Sequence, residues 1–359
     1  MSVEISKRDY SLVGHETKLA EERGLAGAQW YAAPIPRKRL KELMQRRNGP
    51  AIRDTLLWFS LLIVTGGIAY YTWGTWWCVP AFLAYGVLYG SVSDSRWHEC
   101  GHGTAFKTPW MNDVVYQIAC FMVLRQPTPW RWSHTRHHTD TIIVGRDPEI
   151  AVPRPPDFWS IGLNFFSLKS GPRELGKVIL HCFGKLAAEE QTFIPEAESR
   201  KVFRIARIWL VIHTAVIALA IAKHTILPLL YVGLPSFYGA WLLSVFGLTQ
   251  HAGLAEDVLD HRLNCRTVYM NPVLRFLYWN MGYHVEHHMF PMVPYHALPA
   301  LHAEMKADSP PAYDGLWEAY REIIPALWKQ AKDPRYFVRR QLPPNARPFP
   351  SFTPAAESA

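Results

Sequence analysis

From Thr55 to Ser93 the chain carries no charged residue. A membrane span needs about 20 apolar residues, so this run is too long for one span and long enough for two. Backbone polar groups in hydrocarbon must be satisfied within the chain, which restricts such a run to helices. Trp76-Trp77-Cys78-Val79-Pro80 supplies the turn. Pro80 breaks or starts a helix there, and Trp73, Trp76 and Trp77 suit an interfacial aromatic belt. The expected result is a helical hairpin over about 56–75 and 80–97, its second helix carrying its last residues out of the membrane.

A second hairpin is expected downstream. Ile208–Ala222 is uncharged and short for a span unless Arg207 and Lys223 snorkel. Ile226–Ala255 is also uncharged, and the turn falls near Lys223–Pro228. The predicted spans are about 206–223 and 226–249. Val114–Leu124 and Val273–Met281 are apolar but too short to cross, and are read as buried or interfacial helices. The fold class is all-α integral membrane: four transmembrane helices in two hairpins, with a cytosolic helical cap. Residues 1–54 form a cytosolic N-terminal segment and 55–300 the membrane domain. Residues 301–359 form a cytosolic C-terminal segment whose Pro-rich tail, from Pro343 through Pro350 and Pro354, is expected to be extended or disordered.

Charge sets the orientation. The net charge is +8, and Arg37, Lys38, Arg39, Lys41, Arg46, Arg47 and Arg53 crowd just ahead of the first span, with Glu42 alone against them. That is a positive-inside anchor. No nucleic-acid module accompanies it, so no nucleic-acid partner is expected. The five cysteines are widely spaced and show neither a disulfide framework nor a Cys-x-x-Cys metal pair, which points to a reducing compartment. The opening residues lack the apolar core of a signal peptide. A multi-pass protein of a bacterial inner membrane, with both termini cytosolic, is the expected localisation.

Sixteen histidines are present, and their placement matters more than their number. His98-Glu99-Cys100-Gly101-His102, His134-Thr135-Arg136-His137-His138 and His284-Val285-Glu286-His287-His288 form three tight clusters. Spacings of three and four put the rings of each cluster on one face of a helix. Eight imidazoles exceed what one ion can hold and suit two. Imidazole serves iron, zinc, copper and nickel, and the absence of a thiolate set argues against a structural zinc site. A redox-active pair of ions, able to supply electrons to dioxygen, accounts best for the set. The predicted topology places all three clusters on the cytosolic side. His251, at the cytosolic end of the fourth span, is a ninth candidate ligand. Asp94, Glu99, Asp140, Asp147 and Glu286 are candidate acceptors for the outer ring nitrogens, and Asn280 a candidate water-mediated ligand. The isolated His181, His213, His224, His261, His296 and His302 are read as surface, cap or core residues.

These residues resemble the histidine boxes of the membrane fatty acid desaturase and hydroxylase superfamily. The pattern appears as His98…His102, His134…His137-His138 and His284…His287-His288. The Asn280-x-x-Tyr283-His284-x-x-His287-His288-x-Phe290-Pro291 context and the upstream His251 look like the family too. The resemblance spans about 55–300. It implies a helical stem under a cytosolic cap holding a non-haem diiron centre, with O2 as co-substrate, electrons from a separate donor, and desaturation or hydroxylation of an unactivated carbon, foremost on a lipid acyl chain. The tails lack a haem-binding cytochrome b5 motif, so the implied donor is a 2Fe-2S ferredoxin with its reductase. The stretch His98–Phe106, with Trp130-Arg131-Trp132-Ser133 and Gly145-Arg146-Asp147-Pro148, also looks like a bacterial hydrocarbon-oxygenase branch linked to rhizopine breakdown and paired with a Rieske-type ferredoxin. That likeness implies an alternative substrate: a small polar molecule that is hydroxylated or oxidatively demethylated.

Two other classes compete. His98-Glu99-x-x-His102 matches the zinc-protease pattern His-Glu-x-x-His, with Glu99 as base, but leaves two clusters unexplained. A metal transporter or sensor would place its ligands at mid-bilayer, whereas these clusters fall outside the predicted spans.

Overall fold

This computed structural model describes residues 8–349. Those residues are helical and contain no β-sheet; two isolated bridges, Thr267–Tyr283 and Val268–Tyr313, are the extended pairings among them. Two helices are long and apolar enough to cross a membrane by length and composition, one ending at Tyr71 and one at Ala222. They contain α1 (Asn48–Tyr71) and α6 (Ser199–Ala222). After α1 the chain turns through the exposed Trp73, Trp76 and Trp77. It then runs without a break through α2 (Cys78–Gly86), a π-helical turn (Val87–Ser91) and α3 (Val92–Gly101). The helix expected over 80–97 therefore continues far enough to carry His98 on it.

The predicted span over 226–249 is not one helix. It divides into α7 (Leu227–Tyr231), α8 (Pro235–Tyr238) and α9 (Trp241–His251). Pro228 and Pro235 each sit in a first turn, where a missing N–H costs nothing, and Gly233 between them takes φ +96°, which ends the preceding turn. The broken segment lies against the π turn. Ser91 Oγ donates to Gly239 O at 2.5 Å and accepts from Leu243 N at 2.9 Å. A Cβ on Gly239 would fall 1.8 Å from Gly86 O, and one on Gly90 2.4 Å from Pro235 O. Both obstacles are backbone, so Gly239→Ala is expected to destabilise the protein by about 1–3 kcal/mol. Thermal unfolding of the detergent-purified variant checks this; an unchanged midpoint would refute the close crossing.

The remaining elements pack around these helices. α4 (Pro109–Met122) takes up most of the apolar stretch 114–124 and packs on α3, and α5 (Pro127–Thr139) follows. α10 (His261–Asn264), α11 (His284–Met289), α12 (Leu298–Met305) and α13 (Leu316–Lys332) lie in the C-terminal part. The apolar 273–281 stretch contributes only the short helix Pro272–Leu277.

The described parts of both terminal segments pack on these elements. Arg8 pairs with Glu256 and Asp257, Tyr10 donates to Glu256, and Arg262 lies 3.5 Å over the Tyr31 ring. Ahead of the tail, Val338 N donates to Gly253 O. The tail expected to be extended or disordered from Pro343 has no helix over 343–349, and Arg347 N donates to Asp308 Oδ1. Pro350 and Pro354 lie outside the described residues.

Candidate metal centre

Each histidine cluster rides on its own helix, and tertiary packing brings the three together. α3 supplies His98, with His102 as its C-cap residue. α5 starts at Pro127 and carries His134, His137 and His138. α11 opens with His284 and carries His287 and His288. α9 ends at His251.

The nine rings sort into two groups whose ligand atoms lie within 4.8 Å of one another: His98, His102, His134, His138 and His287 in one, His137, His251, His284 and His288 in the other. The α5 and α11 clusters thus divide their histidines between the groups. In the first, Nε2 faces Nε2 along His102–His134 (3.1 Å), His134–His138 (3.2 Å) and His138–His287 (3.1 Å). In the second, His251–His284 and His284–His288 approach in the same way, at 3.0 Å each.

The outer nitrogens define where the protons sit. His137 Nδ1 lies 2.8 Å from Asp147 Oδ2, His134 Nδ1 3.0 Å from Glu149 Oε2, and His251 Nδ1 2.8 Å from Asn264 O. An oxygen acceptor calls for N–H on that side, so Nε2 of each turns a lone pair inward. Both nitrogens of His98, and Nδ1 of His138, His284 and His287, are buried without a hydrogen-bond partner. Glu99 Oε1 stands 3.8 Å from His98 Nδ1 and 3.6 Å from His287 Nδ1. Burial and the neighbouring rings push His134, His138, His284, His287 and His288 well below the usual imidazole range, so they are neutral donors. His137 goes the other way: burial pulls it down, but the adjacent Asp147 carboxylate raises it above the ordinary value. Inward lone pairs about 3 Å apart repel one another unless a cation lies among them. The donor set therefore fits metal ions.

The candidate acceptors separate. Asp147 bonds His137 and, through its Oδ1, accepts from Glu149 N at 2.7 Å. That turn swings Glu149 onto His134, a contact the sequence reading missed; an Asp two residues before an acid just past a histidine cluster was the available signal. Burial raises Glu149 to about 7 and Glu99 to about 8. Asp94 instead takes Arg125 and Trp97 Nε1, and Asp140 takes Arg146 and Arg136. Glu286 faces away from the rings, accepting from Thr267 Oγ1 and pairing with His302 Nδ1. Asn280 accepts from Arg275 Nε and donates to Tyr295 O. None of these four is bonded to a clustered imidazole among the described residues: on a short helix, residues such as 286 point opposite to 284, 287 and 288. Glu99 is fully buried, with Oε2 accepting from Tyr295 N and Thr104 Oγ1. It is not the accessible base of a protease. Asp147→Asn is expected to lower metal affinity about 10–100-fold by weakening the hold on His137. Iron titration of the variant measures this, and unchanged affinity would count against the role.

The family model for fatty acid desaturase matches residues 72–320, which contain every clustered histidine. The chain belongs to the fatty acid desaturase family. Membership makes it an oxidoreductase. Similar proteins include the acyl-lipid (9+3)-(E)-desaturase of Dimorphotheca sinuata, 26% identical over 283 residues that span 68% of this chain and 73% of that one. The acyl-lipid omega-3 desaturase (cytochrome b5), endoplasmic reticulum, of Arabidopsis thaliana is 22% identical over 74% of this chain and 72% of its own. The sn-2 acyl-lipid omega-3 desaturase (ferredoxin), chloroplastic, of the same plant is 25% identical over 70% of this chain and 59% of its own. A local match to an omega-6 fatty acid desaturase of Glycine max reaches 38%, but over only 21% of this chain and 20% of that protein.

Proposed function

We propose that the protein is a membrane-bound, non-haem diiron oxidoreductase that uses O2 to desaturate or hydroxylate an unactivated C–H position of a lipid acyl chain. One observation carries this reading: nine imidazoles, six buried and three half-buried, divide five and four around two adjacent centres. His98, His102, His134, His138 and His287 would hold one ion, and His137, His251, His284 and His288 the other. Bound there, two iron ions supply the redox chemistry that activates dioxygen toward a C–H bond.

The chain's own residues prepare that centre. Asp147, Glu149 and the Asn264 carbonyl hold Nδ1–H of His137, His134 and His251, and so aim each Nε2 lone pair. Cations among the rings would stabilise the ionised forms of the buried Glu99 and Glu149, which burial alone disfavours. The acyl-lipid substrate is supported by the names of three relatives. The donor is a separate electron carrier of the ferredoxin type, as one relative's name suggests; another names cytochrome b5. Two hairpins making four spans, with the metal centre and both termini cytosolic, remain our proposed arrangement. The long helices α1 and α6 support a span in each hairpin.

A second reading has its own observation. A cavity of about 70 Å³ abuts His137 and His251 and is lined in part by Glu149, Arg154, Gln250 and Glu256. That space is small for an acyl chain, and its mixed lining, with Ile150, Val152 and Leu248 beside the charged groups, suits a small polar substrate instead. Iron-loaded protein incubated with ferredoxin, reductase and O2, in separate reactions with acyl-lipid vesicles and with small N- or O-methylated polyols, separates the two. Altered acyl chains with about two irons per chain support the first reading. Turnover of the polar compounds alone moves the assignment to the second, and one zinc per chain with no O2 consumption defeats both.

A further inference from the structure

A tenth imidazole, itself buried, stands beside the nine. His261 opens α10, behind an N-cap in which the Asp260 carboxylate accepts from Arg262 N. Trp30 lies flat against its ring, with centroids 4.3 Å apart and planes 5° from parallel, and the His288 ring is 5.2 Å away. One turn later comes Cys265, which is fully buried and in no disulfide. Its Sγ lies 4.0 Å from His261 Nδ1, 3.6 Å from His251 Nδ1 and 3.3 Å from Asn264 Oδ1. Ligand atoms of His261, Cys265 and His288 all fall within 4.8 Å of one another.

We propose that His261 and Cys265, with His288 as a shared ligand, form a third metal position that takes a borderline divalent ion such as Zn²⁺ or Co²⁺. The chemistry differs from that of the two imidazole clusters. A thiolate beside imidazoles favours borderline and soft ions, with bonds of about 2.3 Å to sulfur and 2.0–2.1 Å to nitrogen. Two such bonds at a tetrahedral centre span about 3.6 Å, so the Sγ–His261 Nδ1 separation of 4.0 Å closes by a few tenths of an ångström on binding. Asn264 Oδ1, already against the sulfur, is placed to complete the set. Burial keeps the thiol protonated, so binding forms the sulfur–metal bond as the S–H proton is released to water. Trp30, whose Nε1 donates to Thr139 O at 3.0 Å, covers the His261 side.

His288 belongs both to this position and to the four-histidine cluster. An ion held by His261 and Cys265 therefore competes with that cluster for one imidazole, and zinc is expected to slow iron loading. The position itself stands on its own geometry; only this antagonism rests on the function proposed above.

Titrating the full-length, metal-free protein in detergent with Co²⁺ alone tests it. The wild type is expected to show a near-ultraviolet thiolate-to-cobalt absorption together with visible bands from imidazole-bound cobalt. Cys265→Ser should lose the first and keep the second, the other four cysteines being unchanged. His261→Gln should weaken the thiolate-band titration roughly tenfold or more. Absence of a thiolate band in the wild type, or its persistence in Cys265→Ser, overturns the proposal. A wild type that shows the thiolate band but binds only one cobalt per chain would overturn the two-centre reading while leaving this one standing. Zinc that slows iron uptake equally in wild type and Cys265→Ser would remove the antagonism.

Discussion

Replacing His138 by alanine is expected to abolish turnover, a loss greater than the roughly 10–100-fold typical of outer-sphere partners. His138 stands at the junction of the two groups: its Nε2 meets those of His134 and His287, and its ring stacks on His288 at 4.3 Å. Its removal takes one donor from the five-histidine group and opens a gap beside the other. Iron per chain should fall to about one or below while the protein still inserts and elutes as a folded species. The same outcome is expected for His98, His102, His134, His137, His284, His287 and His288, and for His251 through the second group. Full activity in any two of these variants would defeat the diiron assignment. His181→Ala is the contrasting control. It is fully buried but bonded to Gln126 and Glu190, so its loss should cost stability without a specific loss of iron from the folded fraction.

The second large effect concerns stability. Arg96→Ala is expected to destabilise the protein by about 3–5 kcal/mol, the scale of truncating a large buried side chain. Arg96 has no solvent exposure. Its guanidinium donates to Leu277 O at 2.5 Å, Phe276 O at 2.9 Å and Ser95 Oγ at 2.9 Å, and lies 4.8 Å over Trp279, 5.2 Å over Phe276 and 5.5 Å over Trp58. It therefore ties the helix of the first histidine cluster to the chain leading into the third. Truncation leaves a cavity and removes the donor to Phe276 O, while Leu277 O keeps only Ser95 Oγ at 3.1 Å; a buried group left unpaired costs about 1–3 kcal/mol. Arg96→Lys keeps the charge but cannot present two parallel donors, so an intermediate loss is expected. Unfolding followed by tryptophan fluorescence in detergent measures both. A lysine variant as stable as wild type would show that charge, not the planar fork, matters here.

Much of the site was legible because it is written in local spacing. Imidazoles at intervals of three and four share a helix face whatever surrounds them, and α5 and α11 present them so. The acceptors were less legible. Asp147 reaches His137, but Asp94, Asp140, Asn280 and Glu286 lie as close in sequence and turn to Arg125, Arg146, Arg275 and His302. Nearness along a chain says nothing about which way a side chain points once neighbouring elements offer cations or amides. The reading of 226–249 as one helix failed for a related reason. Hydropathy averages over residues and is blind to the helix starts at Pro228 and Pro235 and to the stop at Gly233 between them.

By itself, then, the sequence determined that the chain is helical, that one uncharged region precedes the first two histidine clusters and another separates them from the third, and which nine imidazoles belong together. Periodicity and apolar length are properties of consecutive residues, and they survive any arrangement of the helices. Tertiary structure alone decided the division into five and four, the arrival of Glu149 at His134, and the place of His261 and Cys265 beside His288. Those depend on which backbones approach closely enough to oppose side chains far apart in the chain. Packing geometry sets that, through contacts such as Gly86 against Gly239 and Arg96 against the carbonyls of 276 and 277.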